Sequence, residues 1–138
     1  MGLMRTSFEA TLTALEPSCV RVAVIVGKGR GVVATRAVRC GALIESAPVV
    51  VVACDQVAAL SGTVLEHYVY DWADGVAIAL GSGSIYNHSY TPNAIYTRRM
   101  LTSTLEYSAL RDIAEGEEVL INYNGDPNDR TPLWFTVV

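Results

Sequence analysis

The chain reads as a small, mainly β domain with little helix, and three observations predict it. There are 18 Val, 7 Ile and 11 Thr, so 36 of 138 residues are β-branched. Such side chains lose rotamer freedom in helices and pack well on pleated surfaces. Apolar stretches are short and broken by frequent turn residues, the pattern of several short strands. Hydrophobic residues make up 51% and charged residues 17% of the chain, too apolar and too weakly charged for disorder. A length of 138 residues suits one domain.

The elements follow in order. Thr6-Ser7-Phe8-Glu9 has the capping-box spacing, in which a hydroxyl and a carboxylate satisfy free N–H groups reciprocally. Phe8, Leu12 and Leu15 recur at i, i+4 and i+7, which predicts a short amphipathic helix over 7–15, limited by Pro17. Val20, Val22, Val24 and Val26 then alternate with Arg21, Ala23 and Ile25, the period of a strand. The run Gly27-Lys28-Gly29-Arg30-Gly31 breaks it, and 32–38 is a second extended stretch. Cys40-Gly41 turns the chain into a third strand over 43–53. Residues 55–60 predict a helical turn or two, and 64–72 a second short helix. Further strands are expected at 76–80, 94–100, 105–110 and 118–122, with a glycine-rich bend at Gly81-Ser82-Gly83-Ser84. Many short strands and little helix make a small β domain.

The same residues argue against several function classes. No apolar run reaches the roughly 18 residues of a membrane span; the longest, 48–54, fits a buried strand. The first residues, with one Arg and no long apolar stretch, do not read as a secretory signal. Met1-Gly2-Leu3-Met4-Arg5-Thr6 fits the loose acylation pattern but reads as an ordinary chain start. A net charge of -4 and a pI near 5.0 disfavour direct nucleic-acid binding, which needs a basic surface. They suit a basic partner, such as a Lys-rich protein tail. Cys19, Cys40 and Cys54 form no C-x-x-C pair, so neither a metal site nor a disulfide framework is predicted.

Three clusters carry the chemistry. In Gly27-Lys28-Gly29-Arg30-Gly31-Val32-Val33-Ala34, alternate glycines permit positive φ and close backbone approach. The same run matches a dinucleotide fingerprint, but that needs a helix after it, and Val32, Val33, Thr35 and Val38 disfavour one. A plain hairpin turn is the simpler reading. Asn87-His88-Ser89, with Asn93 after Pro92, is a dense polar loop whose amide and imidazole groups can both donate and accept. The turn at Gly116 leads through Glu117-Glu118-Val119-Leu120-Ile121-Asn122 to Tyr123; by itself such a Tyr is a core ring with a surface hydroxyl.

Taken together and in this order, the three resemble the motifs of the SET-domain lysine methyltransferases. Gly29-x-Gly31-x-x-Ala34 is similar to the family's first motif. Asn87-His88-Ser89-x-x-Pro92-Asn93 is similar to its N-H-S-x-x-P-N signature, and Gly116-Glu117-Glu118-Val119-x-x-x-Tyr123 to its final motif. Val33, Ile85, Tyr90 and Asn122 depart from residues common in the family. The usual cysteine-rich zinc segments have no counterpart here, as in the minimal viral and bacterial members.

The resemblance implies a SET fold of several small sheets with a pseudoknot-like C-terminal threading, such threading being rare. It places an N-terminal extension at 1–19, the SET domain at 20–125, and an aromatic tail packing on it at 126–138. It implies transfer of a methyl group from S-adenosylmethionine to a lysine of a protein. The cofactor would be held by Lys28, Gly29, Arg30, Gly31, Asn87 and His88, and covered by Trp134. Tyr123 would be catalytic, and Tyr68, Tyr86 and Ile121 would line the lysine channel; no metal is implied. The alternatives are a SET-fold protein-binding module without catalysis and a nicotinamide oxidoreductase. The expected partner is a basic protein carrying the target lysine, without nucleic acid or membrane, and a homodimer is left open. The Arg-over-Lys bias, nine to one, points to a GC-rich bacterial source and a cytoplasmic setting, with delivery into a host cell left open.

Overall fold

A computed structural model describes residues 17–138, so the helix expected over 7–15 lies outside the described residues. Strands β1 (Val20–Ile25) and β2 (Gly29–Ala34) form an antiparallel hairpin. Its turn is closed by Lys28 N–H donating to the Ile25 carbonyl at 3.1 Å, with positive φ at Gly27 and Gly29, conformations that glycine adopts freely. The simple hairpin reading is right. A strand, not a helix, follows Gly31, which removes the dinucleotide fingerprint.

β3 (Leu43–Val52), β4 (Val69–Trp72), β5 (Gly75–Ala79), β7 (Ala94–Arg99) and β8 (Thr104–Ala109) form an antiparallel sheet in the order β4-β5-β3-β8-β7. Two short 3-10 turns, Val57–Leu60 and Val64–His67, lie between β3 and β4. The helix expected over 64–72 is therefore half wrong. Its second half is strand β4, because Val69, Tyr70 and Trp72 pair with Ile78, Ala77 and Gly75, and the spacing of apolar residues in so short a stretch does not tell helix from strand.

The third sheet is the smallest. β6 (Asn87–His88) and β9 (Leu120–Ile121) pair in parallel, with Asn87 opposite Leu120 and His88 opposite Ile121. Asn93 fastens this crossing from the side: its amide donates to the Glu118 carbonyl at 2.8 Å and its oxygen accepts Leu120 N–H at 2.8 Å. The β9 segment also continues the hairpin sheet, with Val119 N–H donating to Val32 and Ala34 N–H donating to Glu117. The three sequence motifs thus form one hydrogen-bonded unit.

The core runs from Val32 and Val119 through Tyr86, Tyr107, Leu105 and Ile113 to Ile121. β1 is extended as expected, but its Val24 is 86% exposed, and Val26, in the turn beyond it, 99%. β2 supplies the buried residues of that hairpin, Val32, Val33 and Ala34.

Candidate active site

The site begins where Gly31 passes Glu118. A Cβ on Gly31 would lie 2.7 Å from Glu118 Oε1 and 2.8 Å from Asn87 Nδ2, so any larger residue must push these side chains aside. Asn87 donates to the Arg30 carbonyl at 3.0 Å and to Glu118 Oε1 at 2.8 Å. The other carboxylate oxygen of Glu118 accepts Lys28 Nζ at 3.0 Å. One carboxylate therefore joins the glycine run, the Asn-His-Ser segment and the C-terminal motif. It anchors Lys28 and, together with the Arg30 carbonyl, fixes Asn87.

Tyr123 follows β9. Its hydroxyl donates to the Tyr86 carbonyl at 2.7 Å. Its backbone N–H donates to His88 Nδ1 at 3.0 Å, and its carbonyl accepts the Tyr96 hydroxyl at 3.3 Å. Burial, followed by neighbouring Tyr68 and Glu118, pushes its phenol up to about 12. At neutral pH it is a protonated hydroxyl, suited to orienting a partner and not to removing a proton.

His88 is buried, and burial lowers its pKa. With Nδ1 accepting, the neutral ring carries its proton on Nε2. That atom is buried and finds no hydrogen-bond partner among the described residues. Its ring meets Tyr90 edge-on at 4.5 Å and Phe135 at 6.3 Å.

Between these groups opens a cavity of about 700 Å³, within the roughly 300–1,000 Å³ of small-molecule sites. Of the residues singled out in the sequence, Lys28, Arg30, Tyr68, Tyr86, Asn87, Tyr123 and Trp134 line it. Gly29, Gly31 and His88 do not; Gly31 packs against Glu118 and His88 against Tyr123. Tyr68 ends a 3-10 turn and is 36% exposed. Trp134 is exposed, but its ring stacks on His67 at 5.8 Å and lies nearly parallel to Tyr123 at 6.4 Å. The C-terminal tail thus reaches the cavity wall.

Ile121 is misplaced by the sequence reading. It is fully buried in the core and does not line the cavity. The resemblance alone placed it in the lysine channel. β9 ends at Ile121, and the chain turns at once, with Asn124 N–H on Asn122 Oδ1 and Gly125 N–H on the Asn122 carbonyl.

Several site residues were not anticipated. Glu118 lies within the final motif, where the sequence alone gives it no role. Tyr70, Tyr96 and Arg98 also line the cavity. Tyr70 and Tyr96 meet edge-on at 5.0 Å, and Arg98 lies over the Tyr96 ring while its Nε donates to the Asp71 carbonyl at 2.6 Å. These contacts link β4 and β7, the two edges of the large sheet. Alternating residues of those strands are the only sequence signal for them.

Comparison with known proteins agrees with this geometry. Residues 29–124 match the model of the SET domain family. The chain is 36% identical over 110 residues to a Schizosaccharomyces pombe histone-lysine N-methyltransferase specific for H3 lysine-37, covering 78% of this chain and 71% of that protein. Among solved structures, it superposes on a Plasmodium falciparum protein assigned as a histone methyltransferase with TM-score 0.65 and 23% identity, covering 78% of this chain and 95% of that one. It also superposes on ctPRC2 in complex with H3K27me3 and H3K27M with TM-score 0.66 and 19% identity, over 78% of this chain and 14% of that one. The chain belongs to the SET domain family of lysine methyltransferases.

Proposed function

We propose that this chain uses S-adenosylmethionine to methylate the side-chain amine of a lysine in a basic protein, a histone or a protein of similar charge. One observation carries the reading. The Tyr123 hydroxyl, fixed on the Tyr86 carbonyl at 2.7 Å, stands on the wall of the cavity that Lys28, Arg30 and Asn87 also line. The residues fit the cofactor: the Arg30 guanidinium suits its carboxylate, and the aromatic walls suit a flat base and a cationic sulfonium. When bound, it would supply a sulfonium methyl whose C–S bond breaks as the bond to a neutral amine nitrogen forms, the sulfur leaving as a neutral thioether.

The chain's own residues position and desolvate. A free lysine has a pKa of about 10.4, so fewer than about one in a thousand is neutral at pH 7. Burial among Tyr70, Tyr96 and Tyr123 disfavours the ammonium form and releases its proton to solvent. The Tyr123 hydroxyl spends its proton on Tyr86 and keeps its lone pairs for the amine N–H, which aims the nitrogen. Because its phenol stays protonated up to about 12, Tyr123 acts by alignment, and the rate comes from proximity and preorganised dipoles.

A net charge of -4 suits a basic substrate, and the 36%-identical relative is specific for a histone lysine. The test is transfer of labelled methyl to core histones and other basic proteins. A labelled lysine on one of them supports the reading. Cofactor binding by the folded chain without transfer to any would instead favour the non-catalytic binding module.

A further inference from the structure

The longest strand carries a carboxylate where its phase calls for an apolar side chain. β3 turns Ala47 and Val49 towards the core, and Glu45 shares their phase. A β-bulge between Leu43 and Glu45 inserts Ile44, which is also buried. Bulges of this kind re-aim side chains beside functional sites.

Both oxygens of Glu45 are used. Oε1 accepts the Tyr86 hydroxyl at 2.8 Å, and Oε2 accepts Ser82 N–H at 3.0 Å. The turn is shaped around it: Gly81 has φ +63, and a Cβ there would lie 2.6 Å from Oε2. Tyr86 is 1% exposed and stacked on Tyr107 at 4.4 Å. Burial first, then the Glu45 charge, hold its phenol far above the ordinary range, so it is always the donor in this bond. The other end of the same residue, its backbone carbonyl, accepts the Tyr123 hydroxyl at 2.7 Å.

For packing alone, an apolar residue at position 45 would serve without the cost of desolvating a carboxylate. We infer that Glu45 is a positioning residue for methyl transfer: through the phenol of Tyr86 it fixes the carbonyl that orients the Tyr123 hydroxyl. The inference rests on the reading of Tyr123 given above.

The test pairs Glu45→Leu with Tyr86→Phe, which removes the same bond by one atom. Each folded variant should lose about ten- to a hundredfold in kcat, the scale of a small misplacement of a reacting group, with KM for the peptide unchanged. Glu45→Gln, which keeps one acceptor, should recover most of the rate. The double variant should be no slower than the slower single one. A second readout does not need turnover: with tyrosines labelled at Cζ, the Tyr123 carbon signal, identified by its loss in Tyr123→Phe, should shift in both variants. An unmoved Tyr123 signal with unchanged kcat overturns the inference, and so do losses that multiply in the double variant. If the wild-type chain transfers no methyl at all, the proposed function fails, and the Tyr123 signal alone decides whether Glu45 positions it.

Discussion

The Tyr123 hydroxyl and the Tyr86 carbonyl are joined by a 2.7 Å hydrogen bond between residues 37 apart in sequence. The bond consumes the phenolic proton and leaves the oxygen free to accept. It makes Tyr123 a fixed acceptor on the cavity wall, and the expectations below follow from that arrangement and its supports.

Tyr123→Phe keeps the ring and its packing on His88 but removes the oxygen. The expected result is a loss of about a hundred- to a thousandfold in kcat, the scale of one preorganised polar contact. Cofactor affinity, measured by calorimetry, should stay the same. Loss of cofactor binding together with activity would assign Tyr123 to the cofactor and not to the amine.

Rate should also respond to pH with a defined sign. The reacting amine must be neutral, so kcat/KM should rise with pH, by about tenfold per unit well below the substrate pKa. Because Tyr123 titrates near 12, no decline from its ionisation is expected below about pH 11. A bell with a descending limb near pH 9 would contradict a phenol held protonated.

Glu118 holds Lys28 and Asn87 with its two oxygens. Glu118→Ala leaves Lys28 without its partner and Asn87 with the Arg30 carbonyl alone, and a lost charged hydrogen bond is worth about 1.5–3 kcal/mol. The expected effect is at least about tenfold weaker cofactor binding, with kcat at saturation much less affected. Unchanged affinity would mean that the two side chains are positioned by other contacts.

Gly31→Ala should be worse than its size implies. The added methyl would meet Ile25 at 2.6 Å and Glu118 at 2.7 Å, and overpacking costs about 1–3 kcal/mol. Thermal melts should show the loss, and Glu118→Ala should relieve part of it. Full stability of Gly31→Ala would show that the hairpin has room the structure does not give it.

Glu117 provides a pH test of stability. A hydrogen bond from Arg111, then one from Ala114 N–H, hold its carboxyl down at about 2 against an ordinary 4.5. A depressed folded pKa stabilises the fold above the unfolded value, and the contribution fades as pH falls from about 4.5 to about 2. The pair is exposed and screened by salt, so the effect is small. Arg111→Ala should lower Tm at pH 6, and the difference should close in acid. A difference constant to pH 2 would trace the loss to packing.

What the sequence made legible was local. The alternation of 20–26, the turn at Gly27 and Gly29, and three contiguous motifs led to the fold and to Tyr123, Asn87, Lys28 and Arg30 at the cavity. What it hid was long-range. The bonds from Glu45 to Tyr86 and from Lys28 to Glu118 span 41 and 90 residues, and no periodicity encodes such a pairing. Tyr70 was obscured by a run whose apolar spacing fits helix and strand alike. Ile121 was expected in the channel by resemblance alone, and its full burial comes from packing that the motif does not encode.

The central claim is that this cavity methylates lysine with Tyr123 as the aligning group. The most direct measurement is mass spectrometry of histones incubated with the chain and methyl-labelled S-adenosylmethionine, beside the Tyr123→Phe variant. The account predicts label on a lysine with the wild-type chain and its near-complete loss in the variant, while both bind cofactor equally. Equal labelling by the two proteins would contradict it.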